Sequence, residues 1–371
     1  MMRILRIAAT RDTLSAKQMA AERAVKYATD PQSLERDMAQ MERRFEQLTA
    51  ALREGAGAVW GKKETKAPRA REYVKYTENY RSRASVDFDR GVITVETLAR
   101  ENPLDSLTNA VVTTLLTPDD PRAVDIFSAR TVELGKTPFL YGEVQDHDRK
   151  NIRWSWRAER FARHLVDTGL RRRTIEAEGT RRLVRYVTIP MIPDHHTVRA
   201  SKYRAVVEHF ASRFSISKNL VYAIIKTESD FNPFAVSPAP AFGLMQIVPW
   251  TAGRDVHRYL NNRDGTPSKE FLFNPENNIR YGTAYLHLLK YRYLETIRNP
   301  VSRSYCVIAA YNTGAGNVLR TFHPAGSEAP EKINGLEPLQ VYDTLRSRLP
   351  TDEARGYLAK VLDAQKQFVR F

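Results

Sequence analysis

From Ser201 to the carboxyl terminus, apolar residues recur at intervals of three and four, and no alternating pattern competes with them. Helices are predicted near 201–214, 217–229, 249–260, 276–294, 300–312, 314–321, 338–348 and 351–368. A chain with this pattern can bury its apolar surface only by packing helix on helix. Residues 201–371 therefore read as an all-α domain, long enough for a core of its own.

The preceding residues follow another rule. Arg83–Phe88 and Val92–Leu98 alternate around Asp89-Arg90-Gly91, a hairpin signal. Leu183–Ile189 reads as a further strand, and Phe139–Tyr141 and Ile152–Trp156 as shorter ones. Pro103–Leu116 and Arg157–Thr168 carry helical periodicity. Residues 71–192 are thus predicted to be an α+β domain with an antiparallel sheet. On a strand, Trp154 and Trp156 share one face, and core packing is the expectation for both, with sugar stacking as the alternative.

At the amino end, Asp30-Pro31 suits a helix start. Leu34, Met38, Met41, Phe45, Leu48 and Leu52 then form a narrow apolar seam. Gly55 and Gly57 are expected to end that helix, and polar residues 61–70 to form a linker, which makes 1–70 a helical extension. Residues 193–200 contain Pro193 and Asp194-His195-His196. No third ligand stands at a helical spacing from the His pair, so a solvated linker is expected there and no metal. Residues 1–27 show neither the ~7–15-residue apolar core of a secretory signal nor an early cysteine that could carry a lipid.

Composition narrows the function classes. The 371 residues contain 58 Lys+Arg against 43 Asp+Glu, a net charge of +15. The surplus is spread along the chain rather than gathered in a stripe or tail, which argues against nucleic acid as the partner. Diffuse basicity fits any polyanion equally well, a carboxylate-bearing wall polymer included. The lone Cys306 excludes an internal disulfide framework and a multi-cysteine zinc site.

The informative segment is Ser217–Ser229. Ser217 can cap the helix, and Phe231-Asn232-Pro233 stops it. Leu220, Ala223, Ile224 and Thr227 form its inward face. Glu228 falls on that same side, four residues after Ile224 and eight after Leu220. Burial and the negative carboxyl end of a helix both raise a carboxylate's pKa. A carboxylic acid protonated near neutral pH is what glycosidic cleavage needs. The plain alternative is a glutamate that ends an ordinary helix and pairs with lysine.

Further motifs follow in order: Gly243-Leu244-Met245-Gln246 after a Pro-containing loop, Asn274-Pro275 through Asn278-Ile279 to Gly282 and Tyr285-Leu286, Ala310-Tyr311-Asn312, and Glu353–Tyr357. Together with Glu228-Ser229 they resemble the soluble-lytic-transglycosylase catalytic domain, a goose-lysozyme-like all-α fold, over about residues 201–371. Tyr73–Thr77, the 83–98 hairpin, Pro138–Gly142 and Ile152–Trp154 resemble the accessory domain of the membrane-bound lytic murein transglycosylase C subfamily. Thr313 stands where that pattern often has Gly.

The resemblance implies cleavage of the β-1,4 bond between N-acetylmuramic acid and N-acetylglucosamine in peptidoglycan, giving a 1,6-anhydromuramoyl end. Glu228 matches the sole acid/base. The muramoyl acetamido group would steady positive charge at C1. Ser229, Ser237, Gln246, Tyr311, Asn312 and Tyr357 match positions lining the glycan cleft. Tyr311 is expected to hydrogen-bond near Glu228, and Gln246 to read the N-acetyl group. The resemblance implies no cofactor, action in the periplasm, outer-membrane association, and glycan strands rather than nucleic acid as partner. Two other readings stay open: a lysozyme-like hydrolase, which needs a second carboxylate to hold water, and a non-catalytic wall- or polyanion-binding protein. Because every catalytic motif lies in 201–371, that segment is expected to fold alone and retain some cleavage, with the larger loss on long glycan strands.

Overall fold

The computed structural model describes residues 31–369 and 371. The reading of residues 1–27 lies outside them. So do the side chains of Leu34, Met38, Met41 and Leu48 from the amino-terminal seam.

Helix α1 spans Pro31–Trp60. It passes straight through Gly55 and Gly57, which were expected to end it. Gly55 is needed for close approach: a Cβ there would sit 2.3 Å from the Tyr80 ring. Leu52, Ala56 and Trp60 are buried against Val74, Tyr76, Ile175 and Val184, on one face of a sheet.

That sheet has five strands: β1 (Glu72–Thr77), β2 (Ser82–Asp87), β3 (Val92–Thr97), β4 (Arg171–Ala177) and β5 (Thr180–Pro190), in the order β1-β2-β3-β5-β4. Every pairing is antiparallel. The β2–β3 hairpin places Val86 opposite Ile93, as the alternation around Asp89-Arg90-Gly91 predicts. Helices α2 (Pro103–Leu115) and α3 (Ser155–Gly169) cover the opposite face with Leu107, Val111, Ala158, Phe161 and Ala162. Strand alternation sends Val74 and Tyr76 to α1, and Tyr73 to the other layer.

Two predicted strands are absent. Phe139–Tyr141 forms turns, and Trp154 is the residue before α3. The intervening loop finds its hydrogen bonds elsewhere: the Asp146 carboxylate accepts from the backbone N–H groups of Asp148 and Lys150. It also binds Arg157 and Arg160. The start of α3 turns both indoles outward, so Trp154 and Trp156 are 57% and 54% exposed rather than core. Strands β1 and β4 were not singled out by periodicity; β1 is covered on both sides, and β4 is a mostly exposed, arginine-rich edge.

The rest of the chain is helical: α4 (His195–Ser201), α5 (Arg204–Arg213), α6 (Lys218–Ser229), α7 (Arg254–Asn261), α8 (Lys269–Phe273), α9 (Pro275–Leu288), α10 (Pro300–Thr313), α11 (Ala315–Phe322), α12 (Ala329–Asn334), α13 (Pro338–Arg348) and α14 (Asp352–Gln367). The short α8 and α12 were not anticipated. Helix α4 replaces the expected solvated linker at 193–200. It forms because Arg199 is buried and ion-paired to both sides of the junction. Its guanidinium binds Glu143 Oε2 at 2.6 Å and the Asp230 carbonyl at 2.8 Å. One apolar core runs across the same seam: Phe234 meets the rings of Tyr73 and Phe139 at centroid distances of 4.8 and 5.2 Å.

Candidate active site

Helix α6 carries the acid. Leu220, Ala223 and Ile224 are buried as its periodicity predicts. Ser217 stands at the cap position, but its side chain makes no capping bond. At the other end Asp230 and Phe231 both adopt left-handed backbone, φ 50° and 60°, which stops the helix at once. Glu228 is therefore held in the last turn, partly buried.

The carboxyl of Glu228 is pushed up to about 7. Burial is the largest cause. The Tyr357 hydroxyl, donating to Oε1 at 2.5 Å, pulls the other way. The Glu353 carboxylate on α14 raises it again, and the Arg71 guanidinium lowers it. A group balanced there can give and take a proton near neutrality.

The Gly243–Gln246 loop faces this turn. Gly243 has φ +73°, and a Cβ on it would lie 2.4 Å from Asn278 Nδ2 and 2.7 Å from the Leu272 carbonyl. Asn278 is the fastener. Its Oδ1 accepts from the Met245 N–H at 2.7 Å, while its Nδ2 donates to the carbonyls of Phe242 and Leu272 at 2.7 and 2.8 Å. The loop is thus pinned to α9 by a wholly buried amide.

The candidate residues separate into those facing the acid and those that build the frame. Tyr357 is the direct partner of Glu228. Tyr311, expected near Glu228, donates to the Met245 carbonyl at 2.8 Å instead. It lies close enough for the Glu228 charge to raise its own pKa, after burial. Ser229 is fully buried and donates to the carbonyls of Leu244 (2.7 Å) and Ile225 (3.1 Å), tying α6 to the loop. Gln246 donates Nε2 to the Gly243 carbonyl at 3.0 Å, and its buried Oε1 has no partner among the described residues. Asn312 Nδ2 reaches Glu353 Oε1 at 3.4 Å. Ser237 closes its own loop by donating to the Ala239 carbonyl at 2.6 Å.

Three contributors had no signal as site residues in the sequence. Asn278 sits in a quoted motif, but a buried amide looks like any helix asparagine. Glu353 likewise belongs to a quoted motif without standing out as a charge acting on Glu228. Arg71 comes from the other half of the molecule and donates to the carbonyls of Thr227 (2.8 Å) and Lys226 (3.1 Å).

Asp230, the acid closest in sequence, points into the domain seam. It is fully buried among Lys226, His196 and Arg199. Burial alone would raise its pKa, but the His196 hydrogen bond and the Arg199 and Lys226 cations outweigh it and hold the carboxyl at about 2. The His pair belongs to the same network: His195 Nδ1 lies 2.7 Å from Arg199 Nη2, and His196 Nδ1 lies 3.1 Å from Lys226 Nζ. Among the described residues no cluster of His, Cys, Asp and Glu is arranged to hold a metal ion.

Two family models match successive stretches of the chain. Residues 30–202 match the family described as membrane-bound lytic murein transglycosylase C, N-terminal domain. Residues 206–334 match the transglycosylase SLT domain. Proteins named membrane-bound lytic murein transglycosylase C from Yersinia pestis (strain Pestoides F) and Yersinia pseudotuberculosis (serotype O:1b, strain IP 31758) are each 44% identical over 328 residues, 88% of this chain and 90% of theirs. Among solved structures, the 70 kDa soluble lytic transglycosylase of Escherichia coli aligns with 45% of this chain and 24% of its own, at 29% identity and a TM-score of 0.35. On its match to those relatives along nearly the whole of both chains, this protein belongs to the membrane-bound lytic murein transglycosylase C family.

Proposed function

We propose that this chain cleaves the β-1,4 bond between N-acetylmuramic acid and N-acetylglucosamine in peptidoglycan without water, and that Glu228 is both its acid and its base. The observation that carries this reading is one partly buried carboxyl, held at about 7, with a phenol on one of its oxygens.

The protonated Glu228 gives its proton to the glycosidic oxygen as the C1–O bond breaks. The muramoyl C6 hydroxyl closes on C1, and the Glu228 carboxylate takes that hydroxyl's proton. The acid is regenerated, no water is consumed, and the product is a 1,6-anhydromuramoyl end. Tyr357 stays on the same oxygen throughout, so it favours the carboxylate that must act as base. The unpartnered Gln246 Oε1 suits an N-acetyl N–H. Tyr311, Asn312 and Ser237 line the approach, while Ser229 supports it from inside. Asp230 is engaged by Lys226, Arg199 and His196, which favours a one-carboxylate scheme over hydrolysis.

We place this activity in the periplasm with outer-membrane association, on the family's name and substrate. Among the described residues no helix is long and apolar enough to cross a membrane. The test is digestion of purified sacculi with mass analysis of the muropeptides. Anhydro products, one water lighter than reducing sugars, are expected. Reducing ends as the main product would replace this reading with a hydrolase.

A further inference from the structure

The last turn of α6 ends in carbonyls that carry the partial negative charge of the aligned peptide dipoles. Left uncompensated, that charge opposes a carboxylate at Glu228. The chain answers it with a cation from the accessory half. Arg71, immediately before β1, donates Nη2 to the carbonyls of Thr227 at 2.8 Å and Lys226 at 3.1 Å. Its Nη1 is anchored by Asp89 Oδ1, in the β2–β3 turn, at 2.8 Å. The clasp is reciprocal: Asn232, just past the helix, donates Nδ2 to the Ala70 carbonyl at 3.0 Å. Two adjacent residues of the accessory strand's approach therefore hold the two sides of the helix end that presents Glu228.

We propose that Arg71 is a positioning residue through which the accessory domain caps the catalytic helix and eases Glu228 toward its carboxylate form. This rests on Glu228 being the acid.

The charged and titratable groups around Glu228 define what Arg71 contributes. Helix α14 brings Tyr357, which favours the carboxylate, and Glu353, which opposes it. Helix α10 brings Tyr311, whose hydroxyl is committed to Met245. On α6 itself, Lys226 is paired with Asp230. Asp230 is in turn faced by His196 and Arg199 from α4. Arg71 is the cation that acts on Glu228 from the accessory half, and it lowers that group's pKa. Its side chain is still partly open to water, so the effect is modest. The sign is fixed: without the guanidinium, Glu228 holds its proton to higher pH.

The experiment measures kcat/KM against pH on sacculi for the full chain and for Arg71→Gln, Arg71→Lys and Glu228→Gln. Cleavage by free enzyme needs protonated Glu228, so activity falls as pH rises through its pKa. In Arg71→Gln that falling limb is expected to move up by roughly a few tenths of a pH unit. Arg71→Lys keeps the charge and is expected to restore the wild-type limb. Arg71→Leu is the second neutral variant, for use if the glutamine chain does not fold. A limb that stays at the wild-type pH in a folded neutral variant, with kcat merely lowered, overturns the proposal and makes Arg71 a structural clasp. An active Glu228→Gln overturns the prior reading instead, so the two failures are told apart.

Discussion

Tyr357 and Glu228 meet across 129 positions of sequence, the phenol donating to Oε1 at 2.5 Å. The tyrosine is buried on α14 and the glutamate ends α6, so two helices must pack for the pair to exist. Burial presses the acid toward its neutral form, and the phenol draws it back toward the charged one. A carboxyl proposed to work in both forms is poised by that opposition.

Removing the phenol should unbalance it. In Tyr357→Phe, Glu228 is expected to hold its proton to higher pH, moving the falling limb of kcat/KM upward. The base half-reaction loses a hydrogen bond to its carboxylate, and kcat should fall about tenfold. A pH–rate profile reads both effects.

Glu228→Gln keeps the shape and loses the exchangeable proton. Turnover should drop by ~10²–10⁴-fold or more, since one group serves both halves. Muropeptide release measures this, and binding to sacculi should persist. Activity above a tenth of wild type would remove Glu228 from the role.

Asn278→Ala leaves the Met245 N–H and the Phe242 and Leu272 carbonyls without their side-chain partner. A loss of about 3 kcal/mol in denaturant unfolding is expected. The freed Gly243–Gln246 loop should raise KM more than it lowers kcat.

Arg199 is 2% exposed, and Arg199→Met takes one cation from the buried carboxylates of Glu143 and Asp230, leaving them Lys202 and Lys226. Breaking such a pair typically costs about 3–5 kcal/mol, measurable by urea unfolding. The same network governs acid stability. The Asp230 carboxyl lies at about 2 when folded, against ~3.9 for an ordinary aspartate. Its contribution is complete above the unfolded value and is lost as pH falls through the folded one. Arg199→Met should flatten that part of the stability curve.

Residues 198–371 keep every catalytic motif but lose Arg71, Glu143, His195 and His196, together with the Tyr73 and Phe139 rings against Phe234. The sequence predicted a segment that folds alone and retains some cleavage, losing more on long strands than on short fragments. The seam instead predicts a lower melting temperature and weaker cleavage of long strands and short fragments alike. Full activity on short fragments at unchanged stability would restore the simpler division.

What was legible in the sequence is what helix and strand geometry make local. The apolar face of 217–229 placed Glu228 beside Leu220 and Ile224 because residues four apart share a side. The alternation around Asp89-Arg90-Gly91 fixed the β2–β3 hairpin for the same kind of reason, while the motifs at Gly243–Gln246, Asn274–Leu286 and Ala310–Asn312 carried only a family resemblance that implies a glycan cleft. Tertiary structure decided which of those residues touch. It gave Glu228 to Tyr357 rather than Tyr311, put Ser229 inside, turned Trp154 and Trp156 to solvent, and made of the His195–Ser201 stretch a helix that buries His195, Arg199 and Ala200. It also brought Arg71 to a helix end 155 and 156 positions away. No periodicity records such pairings, because the partner of a buried charge is set by which elements pack together, and that is settled only when the two halves close on one core.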